Sequence, residues 1–474
     1  MSAVIQPAAE TAAASTIAER LAAFAGSFDL SSVPDEVLHY AKLCFADAVG
    51  IGIASNSYDF ADQSARAIAG LAGSGPHPVI GRPERLPLRD AALLNGLLVH
   101  GLDFDDTHPA SVIHCSASAV PMVLALGAER GVSGARVLSA YLLALEADAR
   151  IGQVADGQFQ KVGLHPTGAV GIFGCALAAA YLDGLDARQA AYAQGIALSM
   201  SAGSLEFLED GSWTKRMHPG WAAASAITAA ALAGQDFQAP LKVYEGRYGL
   251  YNIYLQQREV GDLAASLDGL GRNWETMTIA IKPYPVCHFN HAFIDAALEL
   301  RQQHGLKADD VAEVTALIHP GQSQVVCEPI AAKRRPGSDY DGKFSLPFAV
   351  AAALVRGRFT LDELEDDALT DPAILELCER IGYEHDETSA FPKYYSGELR
   401  VKTTDGRELV HREAVNRGAD SRPLSEADVR DKFMSNAQRV FDASQAEQVW
   451  NAVLQLDQAP NLGALTAVLG VQGD

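Results

Sequence analysis

Apolar and polar positions in the first half of the chain repeat with the period of an α-helix. A capping box at Thr16 and Glu19 opens the first helix, and Gly26 closes it. After Pro34, which suits a first helical turn, apolar residues recur at helical spacing. Almost nothing before residue 257 alternates with a period of two, so this half is predicted to be all-α. Further helices are predicted at 90–100, 116–129, 134–151, 166–182, 187–202 and 219–233.

The pattern changes near residue 275. A strand at 277–281 is predicted to lead into Lys282-Pro283-Tyr284-Pro285, a rigid extended turn. A helix at 291–303, an alternating strand at 311–318, a helix at 344–355 and a hairpin of 397–403 with 407–413 follow. The chain then returns to helices at 426–439, 444–455 and 459–469. The predicted fold class is mainly α with an α+β insertion: a helical domain of 1–275 and 416–474, and an α+β lid of 276–415.

Composition removes several classes of protein. The 474 residues carry a formal net charge of −22, and 48% of them are hydrophobic. The chain is too apolar to be disordered, and too acidic for an ordinary nucleic-acid binder. Its length predicts two or three domains. The 41 glycines and the many alanines favour helices that pack closely.

The six cysteines are far apart and form no C-x-x-C pair, so buried free thiols in a reducing compartment are predicted. The N-terminus has no basic region followed by an apolar core, so no signal peptide is expected. Apolar stretches such as 222–233 are shorter than the roughly 20 residues that span a bilayer. We expect a cytoplasmic protein that binds neither a membrane nor nucleic acid.

The densest polar cluster lies between residues 100 and 114. Three carboxylates and three histidines within fifteen residues suggest a metal site. The spacing lacks the usual i, i+4 histidine pair, however, and no glycine stands at the sixth position of an EF-hand loop. The alternative is a helix cap with a solvated turn, which we expect for at least one carboxylate. No metal is predicted for this cluster, which comprises His100, Asp103, Asp105, Asp106, His108 and His114.

Three histidines precede prolines at or near predicted helix starts: His108, His165 and His218. At a helix N-terminus the free amides and the helix dipole favour anions and disfavour imidazolium. A neutral imidazole there can act as a base, while the amides hold a carboxylate. The alternative is a tolerated cap, which is common for any single case. A fourth pair, His319-Pro320, ends a predicted strand and is interpreted as structural.

Lys215-Arg216-Met217-His218 is a basic island in an acidic chain. A lysine beside a helix N-terminus can bind a substrate carboxylate or stabilise charge that develops as an α-proton leaves. A surface charge cluster is an equally weighted alternative on these residues alone. Glu146 and Arg150, at i and i+4, are interpreted as a structural ion pair. The chain has no G-x-S-x-G, H-E-x-x-H or dinucleotide fingerprint.

At these residues the sequence resembles the MmgE/PrpD family. The matching segments begin at Gly101, His165, Lys215, Lys282 and Lys343, the last two reading Lys-Pro-Tyr-Pro and Lys-Phe-Ser-Leu-Pro. They occur in family order over nearly the whole chain. The family includes 2-methylcitrate dehydratases, cis-aconitate decarboxylases and an iminodisuccinate epimerase. The resemblance implies a large helical domain with a smaller α+β lid, a homodimer, and catalysis on a small di- or tricarboxylate without metal or organic cofactor.

The resemblance also implies a pocket between helical domain and lid. His114 and His165 are the candidates for base and acid, Lys215 holds the carboxylate, and Asp103 orients a histidine or binds substrate. Two departures from the family stand out. The decarboxylase branch has histidine five residues after its lid lysine, where this chain has Cys287 and then His288, and many relatives have tyrosine where this chain has Phe348. The residues expected to bind substrate are Thr107, His108, His218, Lys282, Cys287 and His288.

Three functions remain open from the sequence. The first is a dehydratase of a 2-methylcitrate-like hydroxy-polycarboxylate. The second is a related lyase or isomerase, either an aconitate decarboxylase or an epimerase of an amino-dicarboxylate such as iminodisuccinate. Epimerisation needs two bases on opposite sides of one carbon, which His165 and a second group could supply. The third is a family member that binds a dicarboxylate without turnover.

Overall fold

The computed structural model describes residues 15–256, 258–391 and 393–471. The chain is largely helical with one small four-stranded sheet, which confirms the predicted fold class. The first half is not entirely α-helical, because His77–Pro78 and Arg85–Leu86 form a short antiparallel pair of strands. The expectation about a signal peptide falls on residues 1–14, outside the described part. One helix, within residues 35–57, is long and apolar enough to cross a membrane, but 89% of its apolar window is buried inside the protein. That burial is typical of a core helix; a cytoplasmic location stays a prediction.

Helices form the first half of the chain and its end. The predicted capping box is present, because Thr16 Oγ1 accepts from the backbone of Glu19 and the Glu19 carboxylate accepts from the backbone N–H of Thr16. The helices of this region are Ile17–Gly26, Asp35–Ala54, Asp59–Ala72, Leu88–Val99, Cys115–Arg130, Gly134–Gln153, Gln158–Lys161, Pro166–Ala169, Gly171–Leu182, Ala187–Ala197, Phe207–Asp210, Thr214–Ala233, Leu250–Leu255, Leu263–Ser266, Glu426–Ala437, Ala443–Leu454 and Gly463–Val468.

The four-stranded sheet lies in the region predicted as the lid. Its strands run in the order Ile381–His385, Val311–Ile318, Gly397–Thr403 and Glu408–Glu413. The first pair is parallel and the other two are antiparallel, including the predicted hairpin. The helices of this region are His291–His304, Pro320–Val326, Ile330–Arg334, Asp339–Lys343, Leu346–Arg356, Asp366–Leu369 and Pro372–Cys378.

Three predictions about elements were wrong. Residues 277–281 do not form a strand: a 3-10 helix covers Glu275–Thr278, and Ala280 makes a single bridge to Thr107. The predicted helix at 219–233 begins earlier, so Pro219 lies inside Thr214–Ala233 and His218 does not cap it. The predicted helix at 166–182 is broken at Val170. The parallel strand at 381–385 was not predicted, since five residues with three polar ones carry no clear alternation.

Two helices of the first half cross at glycines, as the Ala- and Gly-rich composition predicts. A Cβ on Gly96 would lie 2.5 Å from the Cα of Gly220, and a Cβ on Gly220 would lie 2.1 Å from the carbonyl oxygen of Leu93. Only residues without side chains permit this approach. The crossing sets Leu88–Val99 against Thr214–Ala233, and it carries Lys215 towards the loop that follows the first of these helices.

Buried apolar side chains fall into separate clusters. The largest draws on residues 17–281 and 424–469, and a second on residues 284–409. The division into a discontinuous helical domain and a lid stays an interpretation, and we use the names body and lid for these two parts. Glu146 and Arg150 form the buried ion pair that was predicted, with 3.1 Å between Arg150 Nη2 and Glu146 Oε2. All six cysteines are free thiols, also as predicted.

Candidate active site

Two lysines from distant parts of the chain converge on one carboxylate. Lys215 Nζ lies 2.7 Å from Asp103 Oδ1, and Lys282 Nζ lies 3.3 Å from the same oxygen. Lys282 also donates to the backbone carbonyl of Asp103, at 2.8 Å. The side chain of Lys215 is 15% exposed, and those of Asp103 and Lys282 are less so. These three residues, the lysine cluster, are therefore not part of a surface charge patch.

Each member of the lysine cluster is placed by a different element. Asp103 lies in the loop after the helix Leu88–Val99 with a left-handed φ of 55°, a conformation that aspartate tolerates better than most residues. Lys215 stands in the first turn of Thr214–Ala233. Lys282 lies on the segment that joins the body to the lid. A strained residue held by two charged partners is typical of a functional site.

The charges of the lysine cluster are unequal. Burial alone would raise the pKa of Asp103, but the ammonium groups of Lys215 and Lys282 outweigh burial and hold that pKa well below its usual range. Asp103 is therefore ionised and a poor proton acceptor near pH 7. Two positive charges against one negative charge leave the cluster net positive, which suits an anionic substrate group.

Four imidazoles form a row beside the lysine cluster, in the order His114, His100, His165 and His218. Successive ring centroids lie 4.8, 5.3 and 5.2 Å apart. At one end of this histidine row, His114 Nε2 lies 3.9 Å from Asp103 Oδ1. All four residues are buried. The structure thus brings together the predicted base, acid and carboxylate-binding lysine.

Three members of the row, His100, His165 and His218, are neutral near pH 7. Burial lowers the pKa of His165 well below its ordinary value, with His100 and Lys215 acting in the same direction. Burial, with Lys215, lowers the pKa of His218 to about 4. The Nδ1 atoms of His165 and His218 lie 3.1 Å apart, so one ring donates a hydrogen bond to the other. The sequence predicted neutral imidazoles from their positions at helix N-termini. Burial is instead the larger cause of the lowered pKa values, and His218 lies inside a helix.

Asp105 joins two members of the row. His100 Nδ1 lies 2.7 Å from Asp105 Oδ2, and His114 Nδ1 lies 3.3 Å from the same oxygen. Ligand-type atoms of these three residues all lie within 4.8 Å of one another, a set that could hold a metal ion. Tetrahedral zinc ligands, however, stand about 3.4 Å apart, and 2.7 Å is a hydrogen-bond distance. The nearby lysines also oppose a cation. Hydrogen bonding explains this contact better, and the absence of a metal stays a prediction.

The third carboxylate of the polar cluster has a structural role. Asp106 Oδ1 accepts from the backbone N–H of Ser116, 3.1 Å away, in the first turn of Cys115–Arg130. Burial raises the pKa of Asp106 to about 7. The expectation that at least one of the three carboxylates caps a helix is confirmed.

Two predicted substrate-binding residues of the body lie in different surroundings. Thr107 is buried, and its hydroxyl has no hydrogen-bond partner within residues 15–256, 258–391 and 393–471. The imidazole of His108 is already engaged: Nδ1 lies 2.8 Å from Ser111 Oγ, and Nε2 lies 3.3 Å from Glu275 Oε2. The structure therefore does not bring the ring of His108 to the lysine cluster.

The two predicted lid residues also differ. Burial raises the pKa of Cys287 to about 11, so its thiol is neutral, and Lys282, Asp103 and Lys215 are the charges that act on it. His288 is buried, with its Nε2 atom 3.4 Å from Asn416 Nδ2. Its ring packs on those of His291 and Tyr395, at centroid distances of 4.6 and 5.1 Å. These contacts hold the imidazole of His288 within the lid.

Sequence reasoning assigned no role to His100, Asp105 and Tyr340, and it gave Arg216 only a place in the basic island. His100 and Asp105 lie inside the polar cluster of 100–114, and their position there was the available signal. Arg216 donates from Nε to the carbonyl of Gly101 at 2.8 Å, which fixes the loop before Asp103. The hydroxyl of Tyr340 is buried without a partner in the described part of the chain, and no sequence signal pointed to it.

The helical body and the small lid thus bring a cationic cluster next to buried imidazoles, which are neutral at His165 and His218. The chain belongs to the MmgE/PrpD family. It matches the MmgE/PrpD N-terminal domain over residues 19–262 and the MmgE/PrpD C-terminal domain over residues 284–458.

Curated relatives cover almost the whole chain. It is 26% identical to a cis-aconitate decarboxylase-like protein, oryM, of Aspergillus oryzae, over 93% of this chain and 94% of the relative. It is 26% identical to cis-aconitate decarboxylase of Mus musculus, over 96% and 93%, and 24% identical to that of Aspergillus terreus, over 97% of both chains. At the level that these relatives share, the chain is a lyase.

Proposed function

We propose that this chain removes water from a hydroxy-polycarboxylate of the 2-methylcitrate type. One observation carries the proposal: Lys215 and Lys282 converge on Asp103 Oδ1 beside a row of buried imidazoles, three of which are neutral. Ammonium groups bind carboxylates, and a neutral imidazole accepts a proton. A carbon next to a carboxylate loses its proton more readily where both groups are present.

The reaction follows from these groups. A substrate carboxylate binds the lysine cluster, which stabilises the negative charge that develops when the neighbouring carbon loses its proton. His114 or His165 accepts that proton. The C–O bond of the hydroxyl then breaks, and the leaving oxygen takes a proton from the other histidine or from a lysine, so that water and a carbon–carbon double bond result.

Position 287 is the reason to place dehydration first. The resemblance puts a histidine there in the decarboxylase branch, and this chain has Cys287. Its thiol is neutral, and the next residue, His288, contacts Asn416 through its Nε2 atom. Without an imidazole from the lid, the acid–base groups come from the body, where His114 and His165 supply the pair that dehydration needs.

Decarboxylation of an aconitate is the second candidate. The named relatives that cover nearly the whole chain are cis-aconitate decarboxylases or a protein like them. In this reaction the bond to one carboxylate breaks, carbon dioxide leaves, and a histidine or Cys287 protonates the carbon. The lysine cluster would hold a second carboxylate of the same substrate.

The test is turnover of a panel of acids by the purified protein, followed by proton NMR. Loss of water from 2-methylcitrate or citrate supports the proposal, and release of carbon dioxide from cis-aconitate favours the second candidate. Exchange of a substrate proton for solvent deuterium without net reaction would favour an epimerase. Binding without turnover of any of them would overturn the enzyme proposal.

A matched pair of variants separates catalysis from folding. His165→Asn should abolish turnover, because it removes a central imidazole of the row. His77→Asn changes a buried histidine outside the row, whose Nε2 atom lies 2.9 Å from Glu129 Oε2. This variant should leave turnover near that of the parent. We also infer a homodimer that needs no cofactor; light scattering and metal analysis of the active protein test both.

A further inference from the structure

We propose that Asp105 and His100 are positioning residues that fix the tautomer of His114, so that its Nε2 atom becomes the proton acceptor of the site. The inference deepens the proposed function, since it says which atom takes the proton and what prepares that atom. It is separable from that function, because a tautomer can be measured without any substrate.

The geometry gives each nitrogen of His114 a different neighbour. Nδ1 lies 3.3 Å from Asp105 Oδ2, on the inner side of the site, whereas Nε2 lies 3.9 Å from Asp103 Oδ1, on the side of the lysine cluster. The backbone N–H of His114 donates to Thr167 Oγ1 at 3.1 Å, which fixes the start of the helix Cys115–Arg130. The ring therefore spans the distance from Asp105 to the lysine cluster.

The charge state of Asp105 decides the direction of the contact. Burial alone would raise the pKa of this carboxyl, but His100 and His114 outweigh burial and hold the pKa well below its usual range. The Nδ1 atom of His114 makes no aligned hydrogen bond to any described residue in the substrate-free protein, but an ionised carboxylate 3.3 Å away favours the tautomer that carries the proton on Nδ1. With its proton on Nδ1, neutral His114 keeps the lone pair on Nε2, which faces the lysine cluster.

His100 holds Asp105 in place. Its Nδ1 atom makes the 2.7 Å contact with Asp105 Oδ2, and burial lowers the pKa of His100 to about 4, so the ring is a neutral donor. The His100 ring packs edge-on to His114 and nearly parallel to His165, and its Nε2 atom has no partner in the described residues. A fully buried imidazole that makes one short hydrogen bond and packs between the rings of His114 and His165 can orient both rings.

Charged and titratable groups surround His114 from both the body and the lid. The body supplies most of them, and the lid supplies one histidine and one lysine on its border. These groups are Asp103, Asp105, His100, His165, Lys215, Lys282 and His288.

Nitrogen-15 NMR of the substrate-free protein tests the tautomer. The His114 signals, assigned by their loss in His114→Asn, should show a protonated Nδ1 and an unprotonated Nε2 in the parent. Asp105→Ala should move the proton population towards Nε2, and formate added to this variant should move it back. Asp105→Asn keeps the shape of the side chain without its charge and should cause a smaller shift of the His114 tautomer. It replaces Asp105→Ala in this test if the alanine variant does not fold.

Asp148→Ala is the matched control. Asp148 is another buried aspartate of the body, whose Oδ1 accepts from the backbone N–H of Gly174 at 2.8 Å. Burial raises its pKa well above the usual range, and it lies outside the histidine row and the lysine cluster. This variant should leave the His114 tautomer unchanged.

Kinetics give a second readout. Asp105→Ala should lower kcat about 10²- to 10³-fold with little change in KM, because the proton acceptor is no longer held in the reactive tautomer. An unchanged tautomer in both Asp105 variants would overturn the inference, even if activity falls. A changed tautomer in a protein that turns over none of the acids would support the inference and count against the proposed function alone.

Discussion

The body and the lid each hold a group of buried histidines, and the two groups are placed differently. In the body, His114 borders the lysine cluster, and His165 packs in the same row. In the lid, His288 and His291 pack on each other, and His288 contacts Asn416. Burial lowers the pKa of both lid histidines, as it does for His165. A neutral, buried imidazole is therefore not in itself a sign of catalysis.

Cations distinguish the two groups. The histidine row lies beside two ammonium groups that share one carboxylate, so a substrate anion bound there would meet a proton acceptor. The side chain of His288 contacts the amide of Asn416, just outside the lid, and the aromatic rings of His291 and Tyr395 within it. We therefore assign proton transfer to the body, and we assign to the lid the completion of the carboxylate site through Lys282 and Cys287. The following predictions test that division.

The largest effect is expected from Lys215→Met. Loss of one ammonium should lower kcat/KM by about 10³-fold or more, because the substrate carboxylate loses its partner and Asp103 loses half of its charge compensation. Breaking a buried ion pair should also cost about 3–5 kcal/mol of unfolding free energy. Lys42→Met is the control: Lys42 is equally buried, pairs with Asp457 at 2.5 Å, and lies outside the site. Equal losses of activity per folded molecule in both variants would contradict the assignment.

The next effect is expected from His165→Asn, with a fall in kcat of about 10²- to 10³-fold. His165 is a candidate acid or base, and its Nδ1 contact with His218 is lost at the same time. Steady-state kinetics on the substrate identified by NMR would measure the change. A fall confined to KM would mean that His165 binds substrate without transferring a proton.

His100→Asn should change how stability depends on pH. Burial lowers the pKa of His100 from 6.5 to about 4, so below pH 6.5 the unfolded chain takes up a proton that the folded chain refuses. This contribution is absent above pH 6.5, and it costs about 3 kcal/mol of unfolding free energy as the pH falls to 4. Urea unfolding at pH 8, 6 and 5 should therefore show a shallower loss in the variant than in the parent. Parallel curves would show that His100 is already protonated in the folded state.

The smallest effect is expected from His288→Asn. Since the ring contacts Asn416 and not the lysine cluster, kcat should fall less than about fivefold, within the range of an indirect packing effect. Thermal unfolding measures its structural cost separately. A fall as large as that of His165→Asn would show that the lid supplies a proton-transfer group and would remove the distinction between the two regions.

Cys287→His tests the assignment of the reaction itself. An imidazole at this position, near Lys282 and Asp103, would restore the residue that the resemblance gives to decarboxylases. We expect the ratio of decarboxylation to dehydration to rise by at least about tenfold, which product NMR on mixed substrates would measure. An unchanged ratio would show that position 287 does not select the reaction.

Local signals predicted much of the fold. The capping box at Thr16, the strand Val311–Ile318 and the hairpin around Gly406 were predicted, because their periodicity and turn chemistry are local. The segment 277–281 was predicted wrongly, because its apolar residues pack as a 3-10 turn with one bridge to Thr107. A tertiary contact of that kind does not change the spacing of apolar residues in the sequence, so it could not be predicted from that spacing.

The site was predictable in its residues but not in its connections. The polar cluster and the basic island pointed to Asp103 and Lys215, yet nothing in the sequence placed Lys282 on the same oxygen, 179 residues away from Asp103. Neither could spacing reveal that the ring of His108 is engaged by Glu275, or that His100 lies between two catalytic candidates. Those facts depend on tertiary packing between segments that are far apart in the sequence.

Calorimetric titration with propane-1,2,3-tricarboxylate tests the central claim most directly. This acid has the carboxylates of the proposed substrates without the hydroxyl or the double bond, so it can bind and cannot react. The parent and Lys42→Met should bind it alike, whereas Lys215→Met should bind it at least about tenfold more weakly. Equal affinity in all three proteins would contradict a carboxylate site built on the lysine cluster.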